Sequence, residues 1–140
     1  MKVVIELVDR KTGKAEKIFE KHNMILSDFS EAIINTLAGQ TPTLPVINVV
    51  RLRTNIGTKD LTNPTLTKKT IGYGYRVEVT AEDTSTDSYT LYDIWIGNID
   101  TMQKLFLVTG INKSKPADKT LRITWNYEHF YRGSSAGVTW

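Results

Sequence analysis

With 140 residues, a net charge of +3, 40% hydrophobic and 24% charged side chains, the chain has the makeup of one folded domain with a mixed, solvated surface. The absence of cysteine excludes disulfides and thiolate metal sites, and no apolar run approaches the ~18 residues that span a bilayer. Basic residues Arg10, Lys11, Lys14, Lys17 and Lys21 alternate with Asp9, Glu16 and Glu20, which argues against a phosphate-tracking face.

Residues 2–7 read as a strand from the outset, without the long apolar block of a signal peptide. They are expected to pair with residues 15–21 around a turn in which Asp9 and Gly13 supply the turn chemistry. The weak alternation and the lysines of 15–21 suit an edge strand. Helical spacing then begins. Phe29, Ile33, Ile34 and Leu37 form one apolar stripe, Ser27 is the expected N-cap, Asp28 favours the first turn, and Gly39 is the stop.

After a Pro-containing loop over 40–45, residues 46–53 read as a largely buried strand. The stretch 54–70 is polar and threonine-rich, with Gly57 and Asn63-Pro64 as turn signals, and is expected to be a long loop. Loops of such length tend to be functional or to be ordered by a neighbour. Tyr73, Tyr75, Val77 and Val79 alternate with polar residues and predict a half-buried strand. Residues 83–87 make a polar turn, and 89–96 form another strand, with Leu91, Asp93 and Trp95 on one side and Tyr92, Ile94 and Ile96 on the other. A closing hairpin is expected from 105–108 and 121–128, joined by the lysine-rich turn 112–119. In its second strand Leu121, Ile123, Trp125 and Tyr127 alternate cleanly with polar partners.

These elements predict a mainly β fold, an antiparallel β-sandwich or flattened barrel of about six to seven strands with one packed α-helix. The expected domain covers 1–131, and 132–140 is a flexible C-terminal tail ending in a large aromatic residue.

Little in this sequence points to bond-making chemistry. His22 and His129 each lack a second ligand at metal spacing and read as surface or rim residues, and no cofactor is expected. No serine sits in a nucleophile elbow and no P-loop is present. Gly72-Tyr73-Gly74-Tyr75 lacks both the third glycine and the helix that a dinucleotide fingerprint requires. Asp93 is the most unusual carboxylate, and it is expected to be structural, paired with Arg76 or a backbone amide. Asn112-Lys113-Ser114 matches a glycosylation acceptor but has no meaning without a secretory route. The clustered aromatics leave an alternative open, an OB-like single-strand-binding platform of Tyr73, Tyr75, Trp95 and Arg76. The favoured reading is that the rings fill a β core and subunit interfaces.

Several features in order carry a likeness. They are the turn Lys11-Thr12-Gly13-Lys14, the helix approach His22-Asn23-Met24-Ile25, the helix end Leu37-Ala38-Gly39 and the turn Ile56-Gly57-Thr58. The Thr-rich run to Leu66-Thr67 and the final lysine-rich turn into Leu121-Arg122-Ile123-Thr124-Trp125 complete it. In this order and spacing, over about residues 2–130, the chain resembles the small structural proteins of tailed-virus particles, of tail-fibre, baseplate or capsid-decoration type. Those proteins carry a Glu followed by Gly-Leu-aromatic on the penultimate strand. Here the place reads Tyr92-Asp93-Ile94-Trp95-Ile96-Gly97, a departure that puts Asp93 where the Glu would stand.

The resemblance implies a non-enzymatic virion component, assembled in the host cytoplasm, that acts through self-association and contact with other virion proteins. It sits on the tail or, as the alternative, decorates and stabilises the head. A homo-oligomer, with a trimer favoured, is the expected form. Its contacts are expected from the 54–70 stretch, at Thr58, Leu61, Thr65 and Leu66, and from the tail, at Val138 and Trp140. Neither a membrane nor nucleic acid is an expected partner.

Overall fold

Alternation along strand β1 (Lys2–Asp9) buries Val3, Ile5 and Leu7, and the same pattern in β11 (Lys119–Phe130) buries Leu121, Ile123 and Trp125. The two strands lie side by side with Ile5 opposite Ile123, so their apolar rows form one continuous wall. That wall belongs to the first of two antiparallel sheets in the computed structural model, which describes residues 2–139.

The first sheet runs in the order β2 (Ala15–His22), β1, β11, β7 (Gly74–Asp83), β6 (Thr65–Ile71). The second runs β3 (Met24–Ile25), β9 (Gln103–Val108), β8 (Tyr89–Asn98), β4 (Val49–Thr54), β5 (Gly57–Thr62), with the short β10 (Lys113–Lys115) also on β8. Between the sheets lies a core that includes Leu52, Val79, Leu91, Ile94, Ile96 and Phe106, so the architecture is the mainly β sandwich with one helix. Strand β2 takes the edge position that its lysines suggested.

Five sequence expectations need correction. The described residues form eleven strands, not six or seven, chiefly because 54–70 is not a loop: it folds into β5 and β6. Both are edge strands with largely exposed side chains, so neither carries the apolar alternation that marks a half-buried strand; their threonines suit extended backbone all the same. Next, β9 and β11 do not make a hairpin. They lie in opposite sheets, and the connection between them crosses the sandwich, bending at Gly110 (φ 71°) and Asn112 (φ 50°).

The face assignment along β8 also changes. Arg53 stands opposite Asp93 but Thr54 stands opposite Leu91, so one extra residue bulges at Tyr92. The bulge inverts the alternation, placing Leu91 on the core face with Ile94 and Ile96 and turning Asp93 and Trp95 outward. A second bulge separates Gly97 from Ile96 in the pairing with β9. A Cβ on Gly97 would come within 2.0 Å of the Gln103 carbonyl oxygen, so only glycine fits this approach.

Helix α1 (Ser27–Ala38) stops at Gly39 in the left-handed region (φ 68°), as expected. Its N-cap, however, is Leu26 without a side-chain bond, and Asp28 instead accepts a 2.9 Å hydrogen bond from the Lys104 amide of β9. The Leu26 amide donates to the Leu105 carbonyl at 2.9 Å, and Phe29 meets Phe106 at 4.8 Å. The helix is thus docked on β9 through its first turns. Phe29 and Ala32 are buried and Ile33 partly so, while Ile34 and Leu37 of the expected stripe are 63% and 82% exposed.

Candidate assembly surface

Thr54, Gly57 and Asn63 shape the arm made by β5 and β6. Thr54 Oγ1 donates to the Gly57 carbonyl at 2.6 Å and accepts from the Ile56 amide at 3.2 Å, closing a tight turn between β4 and β5 with Gly57 at φ 114°. The chain leaves the second sheet at Thr62, turns at Asn63 (φ 53°) and Pro64, and joins the first sheet at Thr65. Asn63 is pinned there by a 2.9 Å bond from its amide to the Asn48 carbonyl. Among the described residues β5 pairs with β4 alone and β6 with β7 alone, so the arm carries an outer edge of each sheet.

Of the residues singled out in the sequence, Thr58, Leu61, Thr65 and Leu66 come together on this arm. Thr58, Thr65 and Leu66 are exposed, whereas Leu61 leans against the core. Val138 lies apart from them. The tail leaves β11 at Phe130, opposite Gly74, at the far end of β6 from the Asn63-Pro64 corner. There Tyr131 donates to the Tyr73 carbonyl at 2.8 Å, and a short 3₁₀ turn covers Ser135–Gly137. Trp140 falls outside the described residues.

Asp93 is structural in its contacts, but its cation is Arg53 and not Arg76. The two stand opposite each other across β4 and β8, and the Gly110 amide donates to the second carboxylate oxygen at 3.2 Å. Arg76 instead donates to Glu128 at 2.9 Å across β7 and β11. Arg76 is out of reach as a partner because β7 and β8 belong to opposite sheets, whereas Arg53 stands directly across from Asp93 on the neighbouring strand.

The aromatic residues do not form one platform. Tyr73 and Tyr75 gather with Tyr131, ring centroids 6.2 and 5.8 Å away, at one end of the first sheet. Trp95 lies on the outer side of the second sheet, with Arg51 5.1 Å and Lys104 5.9 Å from its ring. Arg51 is in turn paired with Asp60 at 2.6 Å. Trp125 is in the core, and Tyr127 packs against it.

A buried polar cluster had no sequence forecast. Asp83 ends β7 and Tyr89 begins β8, and the Tyr89 hydroxyl donates to Asp83 Oδ2 at 2.6 Å. Lys59 of β5 reaches Asp83 at 3.1 Å and Asp87 at 2.6 Å. Beneath the 84–88 loop Lys115, 1% exposed, gives its ammonium to the carbonyls of Ser85 (2.8 Å), Asp87 (2.7 Å) and Pro116 (3.2 Å).

Burial pushes the Asp83 carboxyl up, but hydrogen bonds from Tyr89, Ser85 and Lys59 outweigh it and hold it at about 2. Burial, then the bond to Asp83, pushes the Tyr89 phenol up, and burial pushes Lys115 down. The one sequence signal was the dense Asp-Thr-Ser-Thr-Asp-Ser run at 83–88, which reads equally as a solvated turn. With both carboxylates engaged by cations and the ammonium caged by carbonyls, the cluster ties the sheets together and leaves no group poised for proton transfer.

Among the described residues no group of three or more His, Asp or Glu could hold a metal ion, and no helix is long and apolar enough to cross a membrane. No family model matches this chain, and neither a curated protein nor a solved structure matches it.

Proposed function

We propose that this chain is a non-enzymatic structural component of a viral particle, working through self-association and contact with other virion proteins. The observation that carries this reading is the arm: two edge strands on opposite sheets, joined at one corner and projecting their outer backbone edges. Unpaired N–H and C=O groups along such an edge are a template for strand addition by another chain. Edge lysines ordinarily discourage that pairing, yet all three on the arm are occupied within the chain, Lys59 of β5 by Asp83 and Asp87 and the two of β6 within their own sheet. Lys69 is bonded to Glu78 at 2.9 Å, and Lys68 lies over the Tyr75 ring at 5.1 Å.

A closed ring of copies, a trimer in the favoured form, would use the arm repeatedly without leaving an open end. Size-exclusion chromatography with light scattering tests the reading directly. A defined oligomer at micromolar concentration is expected, and a strict monomer overturns it. Position in a particle reconstruction then distinguishes a tail component from a head-stabilising decoration.

A further inference from the structure

Beside helix α1 the sandwich opens into an apolar cavity of about 270 Å³, walled by Phe29, Ile33, Leu105, Phe106, Trp125 and Tyr127. Its aromatic walls are tightly set, with Phe106 4.4 Å from Trp125 between ring centroids. Leu44 at the mouth is exposed, as are Val46 just beyond it and Ile34 next to Ile33 on the helix. An apolar hollow with an apolar rim is the form of a pocket that receives an anchoring side chain. Its volume falls below the ~300–1,000 Å³ of pockets that enclose small-molecule ligands. Trp125 is 1% exposed, and its Nε1–H meets no acceptor among the described residues. An occupant that brings a large apolar group and no charged side chain suits such a lining.

The tail has that chemistry. After Arg132 it reads Gly133-Ser134-Ser135-Ala136-Gly137-Val138-Thr139-Trp140, with no ionisable side chain and with bulk only at Val138 and Trp140. Such a segment brings no charged side chain to an apolar cavity. In the single chain residues 132–139 are all exposed, Val138 at 54%.

We infer that the cavity receives the 132–140 tail of a second copy of this chain, with the Trp140 indole as its anchor. The inference rests on the self-association reading and supplies it with a second contact, separate from the arm.

The test uses the full-length Trp140→Ala protein, whose own anchor is gone, titrated with a fluorescent peptide of residues 132–140. Saturable binding is expected, weakened at least about tenfold when the peptide carries Trp140→Ala. Of the two indole N–H resonances left in that protein, Trp125 shifts on binding and Trp95 does not. No binding, or binding that leaves the Trp125 resonance in place, overturns the inference. So does a dilute, monomeric wild-type chain whose Trp125 resonance already matches the peptide-bound position, since the tail then occupies its own cavity. Light scattering on the wild-type protein separates the two readings: an oligomeric wild type whose Trp140→Ala variant ignores the peptide sinks the cavity inference alone, whereas a wild-type monomer at micromolar concentration sinks the assembly reading and the inference with it.

Discussion

Tyr89 donates a 2.6 Å hydrogen bond to Asp83, and the pair joins the last residue of β7 in the first sheet to the first residue of β8 in the second. Both side chains are buried, so neither has water as a fallback partner. Removing the hydroxyl with Tyr89→Phe leaves one oxygen of a buried carboxylate without that donor. The expected loss is about 1–3 kcal/mol in urea unfolding, and an unchanged midpoint would show that the bond contributes nothing.

The same carboxylate sets an acid limit. Asp83 is held at about 2 against an ordinary 3.8, so the native state favours its charged form. Stability from this source is fully present above about pH 4 and drains away as pH falls toward 2. The difference is on the order of 2 kcal/mol. Urea midpoints measured from pH 5 down to pH 2 should fall along this window, and Asp83→Asn, less stable at neutral pH, should show a shallower fall. A parallel decline in both proteins would assign the acid sensitivity elsewhere.

Lys115 makes a sharper case. Its ammonium is the shared donor for the Ser85 and Asp87 carbonyls, at 2.8 and 2.7 Å. Lys115→Met keeps the length of the side chain and removes the donor from half-buried carbonyls, of which only that of Ser85 keeps a second donor, Arg10. A loss of about 1–3 kcal/mol is expected, as for carbonyls that lose a charged donor, with faster amide exchange concentrated at 84–88. Wild-type exchange in that loop would mean that the turn holds itself.

Gly97→Ala is expected to be among the most damaging single substitutions in the second sheet. The new Cβ would sit 2.0 Å from a backbone oxygen, which no side-chain rotation relieves. Gly133→Ala, with nothing within 4 Å of the added carbon, is the matched control. Thermal unfolding should place the first well below wild type, by roughly 3 kcal/mol or more, and the second within about 0.5 kcal/mol.

These sites show where sequence was readable. The alternation of Val3, Ile5 and Leu7 and of Leu121, Ile123 and Trp125 announced central strands because burial on one face leaves a period of two. Gly39 announced the helix stop because the left-handed cap favours glycine. The arm was silent for the opposite reason. Thr58, Thr65 and Leu66 sit on edge strands held by backbone bonds, and backbone bonds leave no hydrophobic period. The cluster around Asp83 was hidden because its members lie at 59, 83, 87, 89 and 115, brought together only by the pairing of strands from both sheets. The single-residue bulge at Tyr92 has no compositional mark, and it moved Leu91 to the side of Ile94 and Ile96; the partner of Asp93 was hidden because sequence does not say that β7 and β8 lie in opposite sheets.

The arm itself can be tested without disturbing the fold. Leu66 is 40% exposed on β6 and Thr58 is exposed on β5, so a glutamate at either place adds charge outside the core. Leu66→Glu and Thr58→Glu should each melt within about 0.5 kcal/mol of wild type. In an assembled particle protein, however, the charge would lie along the surface offered to the next copy, where a desolvated carboxylate without a partner is strongly unfavourable. Light scattering should then report dissociation for both variants. Glu16→Gln, exposed on β2 at the opposite edge of the first sheet, should leave the oligomer intact. Arm variants that keep both the wild-type melting temperature and the wild-type mass would remove β5 and β6 from the interface. Association would then have to depend on another surface, with the cavity beside α1 the next to be probed.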